Sequence, residues 1–91
     1  MNAGREREAR IEAIRARFAK AGYRLEFEEQ AATGGTIITA VVIDSHGNRV
    51  AAATQGMGAT RLETAEAVAR EHEETLSQRE AILMRDPDAL A

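Results

Sequence analysis

The nine residues from Thr36 to Asp44, TIITAVVID, constrain the fold of this chain more than any other stretch. They are rich in β-branched side chains, with two glycines before them and a Ser-His-Gly-Asn segment after them. A short β-branched run between turn residues predicts a strand. From Ile37 to Ile43 both alternating side-chain sets are mostly apolar, whereas a strand with one face in water alternates apolar and polar residues. We therefore expect a central strand that is covered, at least partly, on both faces.

A first helix is predicted from about Ala3 to Ala21. Its apolar residues recur three and four positions apart and form one stripe, which consists of Ile11, Ile14, Phe18 and Ala21. Asn2 is a candidate N-cap. Gly22 is a good stop signal, because glycine accepts the left-handed conformation just past a helix end.

A second helix is predicted from Arg61 towards Arg85, ending before Asp86 and Pro87. Thr60 and Glu63 match a capping box at its start. Its inner stripe comprises Leu62, Ala65, Val68, Ala69, His72 and Leu76. At a rise of 1.5 Å per residue this helix is about 37 Å long, so its second half projects beyond the sheet. Ile82 and Leu83, with Met84, then need another surface to cover them.

Two further strands flank the central one. The segment from Tyr23 to Gln30 alternates apolar and charged residues and reads as a half-buried edge strand. The segment from Arg49 to Gln55 is the third strand, after a hairpin connection at residues 45–48. The predicted fold is α+β with the order α-β-β-β-α, a three-stranded antiparallel sheet with two helices packed on one face. Residues 1–86 form one domain, and residues 87–91 are a short C-terminal tail.

The composition limits the class of protein. A chain of 91 residues with only 3% aromatic residues buries a small core, and domains of this size often gain stability by oligomerisation. The absence of cysteine excludes disulfides and thiolate metal sites. The sequence has no apolar run long enough to span a bilayer and no apolar segment behind its charged start. We expect a cytoplasmic protein that binds no membrane.

Charge is distributed unevenly along the chain, although the formal net charge is only −3. Residues 1–20 carry six basic and three acidic residues, a balance of +3. Residues 61–86 carry four basic and seven acidic residues, a balance of −3. The two segments could neutralise each other within one fold or pair between two copies.

Residue types that occur in catalytic and metal sites are present but poorly arranged. Asp44, Ser45 and His46 are consecutive and cannot form a hydrolase triad, so we expect Asp44 to cap the hairpin. His46 and His72 lack a metal-binding spacing. The glycines at positions 56 and 58 favour a strand-to-helix turn over a phosphate loop, which would need a lysine. We expect no catalytic residues, no cofactor and no metal.

The order and spacing of these elements resemble the double-stranded RNA-binding domain over roughly residues 10–77. Leu25 to Glu29 is similar to the family's first strand, and Ile37 to Asp44 to its apolar second strand. Gly56 to Glu63 is similar to its glycine-rich turn and the opening of its last helix. The resemblance implies the same fold and raises duplex RNA binding as an alternative function.

The sequence departs from this family where its RNA contacts lie. The family holds phosphates with two adjacent lysines and a third one turn later, whereas Arg61, Leu62 and Ala65 stand at those positions here. Each neutralised phosphate adds affinity, so the loss of two charges weakens RNA binding steeply. The basic residues that could still contact RNA are Arg7, Arg10, Arg17 and Arg61.

The second face of the central strand is the preferred functional prediction. If Ile37, Val41 and Ile43 face the helices, then Ile38, Ala40 and Val42 face outward. An exposed apolar patch on a small domain usually marks a contact with another chain, although one set could instead pack under a loop or the projecting helix.

We therefore expect a non-enzymatic protein-interaction domain that forms a homodimer. The contact would use the open sheet face at Ile38, Ala40 and Val42, the projecting helix end at Ile82 and Leu83, or both. Another protein is an alternative partner. A further alternative is a small acidic inhibitor of a nucleic-acid-binding protein, of the kind that phages encode. No residue in the chain selects this inhibitor.

Overall fold

A computed structural model of the chain describes residues 3–56, 58–86 and 88. Its elements are α1 (Ala3–Lys20), β1 (Arg24–Ala32), β2 (Gly35–Ile43), β3 (Arg49–Thr54), α2 (Arg61–Glu71) and α3 (Glu73–Arg85). The three strands are antiparallel and form one open sheet with β2 in the centre. The α+β fold predicted from the sequence is confirmed, and the helix predicted after β3 is divided into α2 and α3.

The predicted helix signals act as expected where the structure describes them. The apolar stripe of α1 is buried at Ile11, Phe18 and Ala21. Gly22 follows with a φ of 90°, the left-handed conformation that ends the helix. The capping box of α2 is formed by Thr60 and Glu63. The predicted N-cap Asn2 and the helix-ending Pro87 lie outside the described residues.

The face assignment predicted for β2 was wrong. Residues paired across a sheet share a face, and Leu25 of β1 pairs with Val42 while Ala40 pairs with Ala53 of β3. These side chains join Phe18 of α1 in the core under the helices. Ala40 and Val42 therefore face the helices, and they cannot form the exposed patch predicted for them. The side-chain set of β2 that faces the helices is therefore the opposite of the predicted one.

The open face of the sheet is covered by polar side chains of its own strands. Val41 lies on this face, yet it is only 1% exposed. Its neighbours explain its burial, because an ion pair of 2.5 Å joins Arg49 of β3 to Glu28 of β1 and crosses β2 at the level of Val41. Beside it, the hydroxyl oxygens of Thr39 and Thr54 lie 2.8 Å apart. The central strand is thus covered on both faces, as its composition predicts.

The break between α2 and α3 lies at His72, where the single predicted helix was wrong. The backbone N–H of His72 donates to the carbonyls of Val68 at 3.2 Å and Ala69 at 3.3 Å, and Leu76 donates to His72 at 2.9 Å. Hydrogen bonding therefore continues through the break, and α3 follows α2 directly after His72. Within the described residues, no helix is both long and apolar enough to cross a lipid bilayer.

Candidate protein-interaction surface

The helix layer consists of α1 and the α2–α3 pair, which run parallel to each other. Arg10 pairs with Glu66 at 2.8 Å, and Arg17 pairs with Glu73 at 2.7 Å. Moving seven residues along α1 therefore corresponds to moving seven residues along α2–α3 in the same direction. The positive charge of the first segment and the negative charge of the last thus partly neutralise each other within one chain.

Arg17 holds the first half of α3 beside α1. Its guanidinium donates to both carboxylate oxygens of Glu73, at 2.7 and 2.8 Å, and to Glu80 at 2.7 and 3.1 Å. These hydrogen bonds lower the pKa of both glutamates, and they raise the pKa of Arg17. One arginine thus links two positions of α3, about two helical turns apart, to α1.

Arg79 and Leu76 add a second attachment for α3. The Arg79 guanidinium donates to the carbonyl of Ala21 at 2.8 Å, and it lies 4.7 Å from the centre of the Tyr23 ring. That separation is typical of a cation–π contact. Leu76 is fully buried in the core. The part of α3 from Glu73 to Glu80 is therefore packed on the domain.

The last turn of α3 extends past α1, which ends at Lys20. Here Ile82 is 41% exposed and Met84 is 87% exposed, while Leu83 is half-buried. In the described part of the chain the other exposed large apolar side chain is Val50 of β3, at 47%. We call Ile82, Leu83 and Met84 the α3 tip. Leu83 and Met84, with Lys20 and Glu80, line a shallow depression of about 300 Å³.

A second groove lies at the opposite end of the helix layer. Its volume is about 420 Å³, and it lies between the first turns of α1 and α2. Its apolar part consists of Ile11 and Leu62, which are both buried, and the half-buried Ile38 of β2. We call it the N-terminal groove; its lining residues are Gly4, Arg7, Glu8, Ile11, Ile38, Ala59, Thr60, Arg61 and Leu62.

The predicted interface residues are thus separated by the fold. Ile82 and Leu83 lie in the α3 tip, and Ile38 lies in the N-terminal groove, whereas Ala40 and Val42 are core residues. The groove was missed in the sequence because its walls come from three elements that are distant along the chain. Met84 could have been predicted as part of the interface, because it directly follows the predicted interface residues Ile82 and Leu83 in the sequence.

Arg10, Arg17 and Arg61, which were predicted as possible RNA contacts, are engaged with glutamates. Arg10 pairs with Glu66 and Arg17 with Glu73 and Glu80, as described above, and Arg61 pairs with Glu29. The bond to Glu29 raises the pKa of Arg61. Arg7 lines the N-terminal groove. A carboxylate beside a guanidinium reduces the positive potential that a phosphate would meet, so these pairs favour structural roles for the three arginines.

Asp44, which was considered as a catalytic residue, has a structural role in the hairpin. Asp44 accepts hydrogen bonds from the backbone N–H groups of His46 and Asn48, both at 2.9 Å, and they lower its pKa. It caps the hairpin as predicted. Among the described residues, no group of three or more His, Cys, Asp or Glu side chains is placed to hold a metal ion.

Comparison with known proteins adds no relative to this picture. No family model matches the chain, and neither a curated protein nor a solved structure does.

Proposed function

We propose that this chain is a non-enzymatic protein-interaction domain that forms a homodimer through the α3 tip. The observation that carries the proposal is the exposure of Met84, at 87%, in the same turn as Ile82, at 41%. Large apolar side chains that cluster on a small domain usually mark a contact with another chain. The attachment of α3 by Arg17 and Arg79 supports this reading, because it presents the tip on a fixed helix.

A second copy is the partner that the small core favours. Five of the buried apolar residues are alanines, namely Ala21, Ala40, Ala53, Ala65 and Ala67. Alanine packs closely but removes little apolar surface from water, so it contributes little to stability. A partner that binds only the folded chain stabilises it by mass action, and a second copy is always present with the first.

The proposal is tested by the molar mass of the protein in solution. Wild type at micromolar concentration should show the mass of two chains by light scattering after size-exclusion chromatography. Met84→Glu should shift the mass to one chain, because a charge placed in an apolar contact must lose its hydration without a partner. Because the Met84 side chain is exposed in the single chain, this substitution should change the free energy of unfolding by about 0.5 kcal/mol or less.

Val50→Glu is the matched control. Val50 is also a large exposed apolar residue, but it lies on β3 and outside the α3 tip. This variant should keep the mass of two chains. A Met84→Glu protein that is as dimeric as wild type would contradict the proposal.

A further inference from the structure

Met84 places a sulfur atom at the exposed end of the α3 tip. Its side chain is 87% exposed, and Ile82 and Leu83 directly precede it. The chain has no cysteine, so its three methionines hold all of its sulfur. Met1 and Met57 lie outside the described residues. A thioether sulfur is open to oxidation where an oxidant can reach it, and the structure shows such access at Met84.

We propose that Met84 is a modification site for hydroperoxides and that its sulfoxide form dissociates the homodimer. The inference rests on the proposed homodimer, because it adds a redox control to the same contact. Enzymes that reduce methionine sulfoxide would restore the contact, so the control is reversible.

The chemical step is a two-electron oxidation of the Met84 sulfur. A lone pair of Sδ attacks the terminal oxygen of the hydroperoxide, so an S–O bond forms while the O–O bond breaks. The proton of the transferred oxygen passes to the departing oxygen, which leaves as water or as an alcohol. The sulfur is oxidised by two electrons and the peroxide is reduced by two, so no further reactant is needed.

Oxidation turns an apolar contact residue into a polar one. In the single chain the sulfoxide oxygen stays in water, because the Met84 side chain is exposed there. In the dimer it would lie beside Ile82 and Leu83, whose side chains offer no hydrogen-bond donor. Lys20 lines the depression beside Met84 in the single chain as well, so a hydrogen bond to Lys20 would not favour the dimer. Because a polar group that loses its hydration without a partner weakens association, the dimer dissociation constant should rise by about tenfold or more.

Access to the sulfur depends on the equilibrium between one chain and two. The single chain exposes Met84, whereas the proposed contact covers it, so the peroxide reacts with the single chain. The rate of Met84 oxidation should therefore fall as the protein concentration is raised above the dimer dissociation constant. Oxidised chains no longer pair, and mass action then draws further dimers apart.

The test treats the full chain with hydrogen peroxide. Light scattering should show the wild-type mass falling from two chains to one, in proportion to the Met84 sulfoxide that peptide mass spectrometry detects. Far-UV circular dichroism should stay unchanged, since the modified side chain is exposed in the single chain. Reductases for the two sulfoxide epimers should restore the mass of two chains.

Three variants assign the effect to the Met84 sulfur. Met57→Leu is the control that keeps this sulfur, so its mass should respond to peroxide as the wild-type mass does. Met84→Leu has no oxidisable sulfur at the tip, so its own dissociation constant should be the same before and after peroxide. Met84→Gln places a polar, uncharged group there without any oxidant, and it should raise the dissociation constant as the sulfoxide does.

The outcomes separate this inference from the proposed function. If wild type is dimeric and keeps the mass of two chains after Met84 is fully oxidised, the inference is overturned while the homodimer stands. Resistance of Met84 to peroxide, or dissociation of Met84→Leu on the same treatment, also overturns it. If untreated wild type is a single chain, the proposed homodimer fails and the inference fails with it.

Discussion

At the scale of single residues, Arg17 makes the stability of the helix layer dependent on pH. Glu73 and Glu80 have lower pKa values in the folded chain than in the unfolded chain, first because they accept hydrogen bonds from Arg17. A carboxyl whose pKa is lowered by folding contributes stability above its unfolded pKa, about 4.3 for glutamate, and loses it as the pH falls through the folded value.

Arg17→Met should therefore destabilise the fold at pH 7 more than at pH 3. The measurement is the urea midpoint of wild type and variant at both pH values. Arg10→Met is the control, because the Arg10 ion pair joins one glutamate, Glu66, and the two side chains are 57% and 34% exposed. Arg10→Met should lower the free energy of unfolding at pH 7 by less than Arg17→Met does. If Arg17→Met lowers it equally at both pH values, the proposed pH-dependent role of Arg17 is contradicted.

Replacing Gly22 and Gly4 by alanine should change the stability of the fold in opposite directions. Gly22 has a φ of 90°, a conformation that costs an alanine about 1–2 kcal/mol. Gly4 lies in the first turn of α1, where helices fray, so alanine there should add less than the about 0.5–1 kcal/mol typical of a mid-helix position. Thermal unfolding of Gly22→Ala and Gly4→Ala measures both effects. A stabilised Gly22→Ala protein would show that α1 does not end in the left-handed turn described here.

At the scale of elements, the orientation of β2 decides which residues can reach a partner. Ala40 is fully buried under the helices, and Ala52 is exposed on the opposite face of the sheet. Ala40→Leu should lower the free energy of unfolding by about 1–3 kcal/mol through overpacking. Ala52→Leu should change it by about 0.5 kcal/mol or less. Urea denaturation of the two variants measures both, and the opposite ranking would support the face assignment of β2 predicted from the sequence.

The faces of β2 illustrate how far the sequence alone could go. Apolar residues at both sets of alternating positions predict a strand covered on both sides, but they do not distinguish its faces. The missing information lies in the turn at Thr33 and Gly34, which pairs Ala32 with Gly35 and so aligns Leu25 with Val42. The alternation of β1 then assigns Val42 to the core. Turn length therefore fixes the register here, and composition does not.

By contrast, the division of the last helix into α2 and α3 has no local signal in the sequence. Neither glycine nor proline occurs at His72, and the capping box at Thr60 predicts only where the helix starts. Contacts with residues distant in sequence hold α3, through Arg79 at Ala21 and Arg17 at Glu80. Local propensity carries no sign of such contacts, so the break could not be predicted from the sequence.

At the scale of the whole molecule, the described chain exposes large apolar side chains at the α3 tip, whereas the open face of the sheet carries charged side chains of its own strands. The α3 tip was predictable in part, because a helix of that length must pass the end of the sheet. The N-terminal groove was not, since Ile11, Ile38 and Leu62 meet only after the chain has folded. Of the predicted interface residues, Ile82 and Leu83 lie in the α3 tip, whereas Ala40 and Val42 are core residues.

The central claim is that two copies associate through the α3 tip. Sedimentation equilibrium of the wild-type chain, followed as the protein is diluted through the micromolar range, tests it most directly. The account predicts a molar mass that falls from two chains to one on dilution, and a Met84→Glu variant that stays at one chain throughout. A wild-type mass of one chain at every concentration would contradict it.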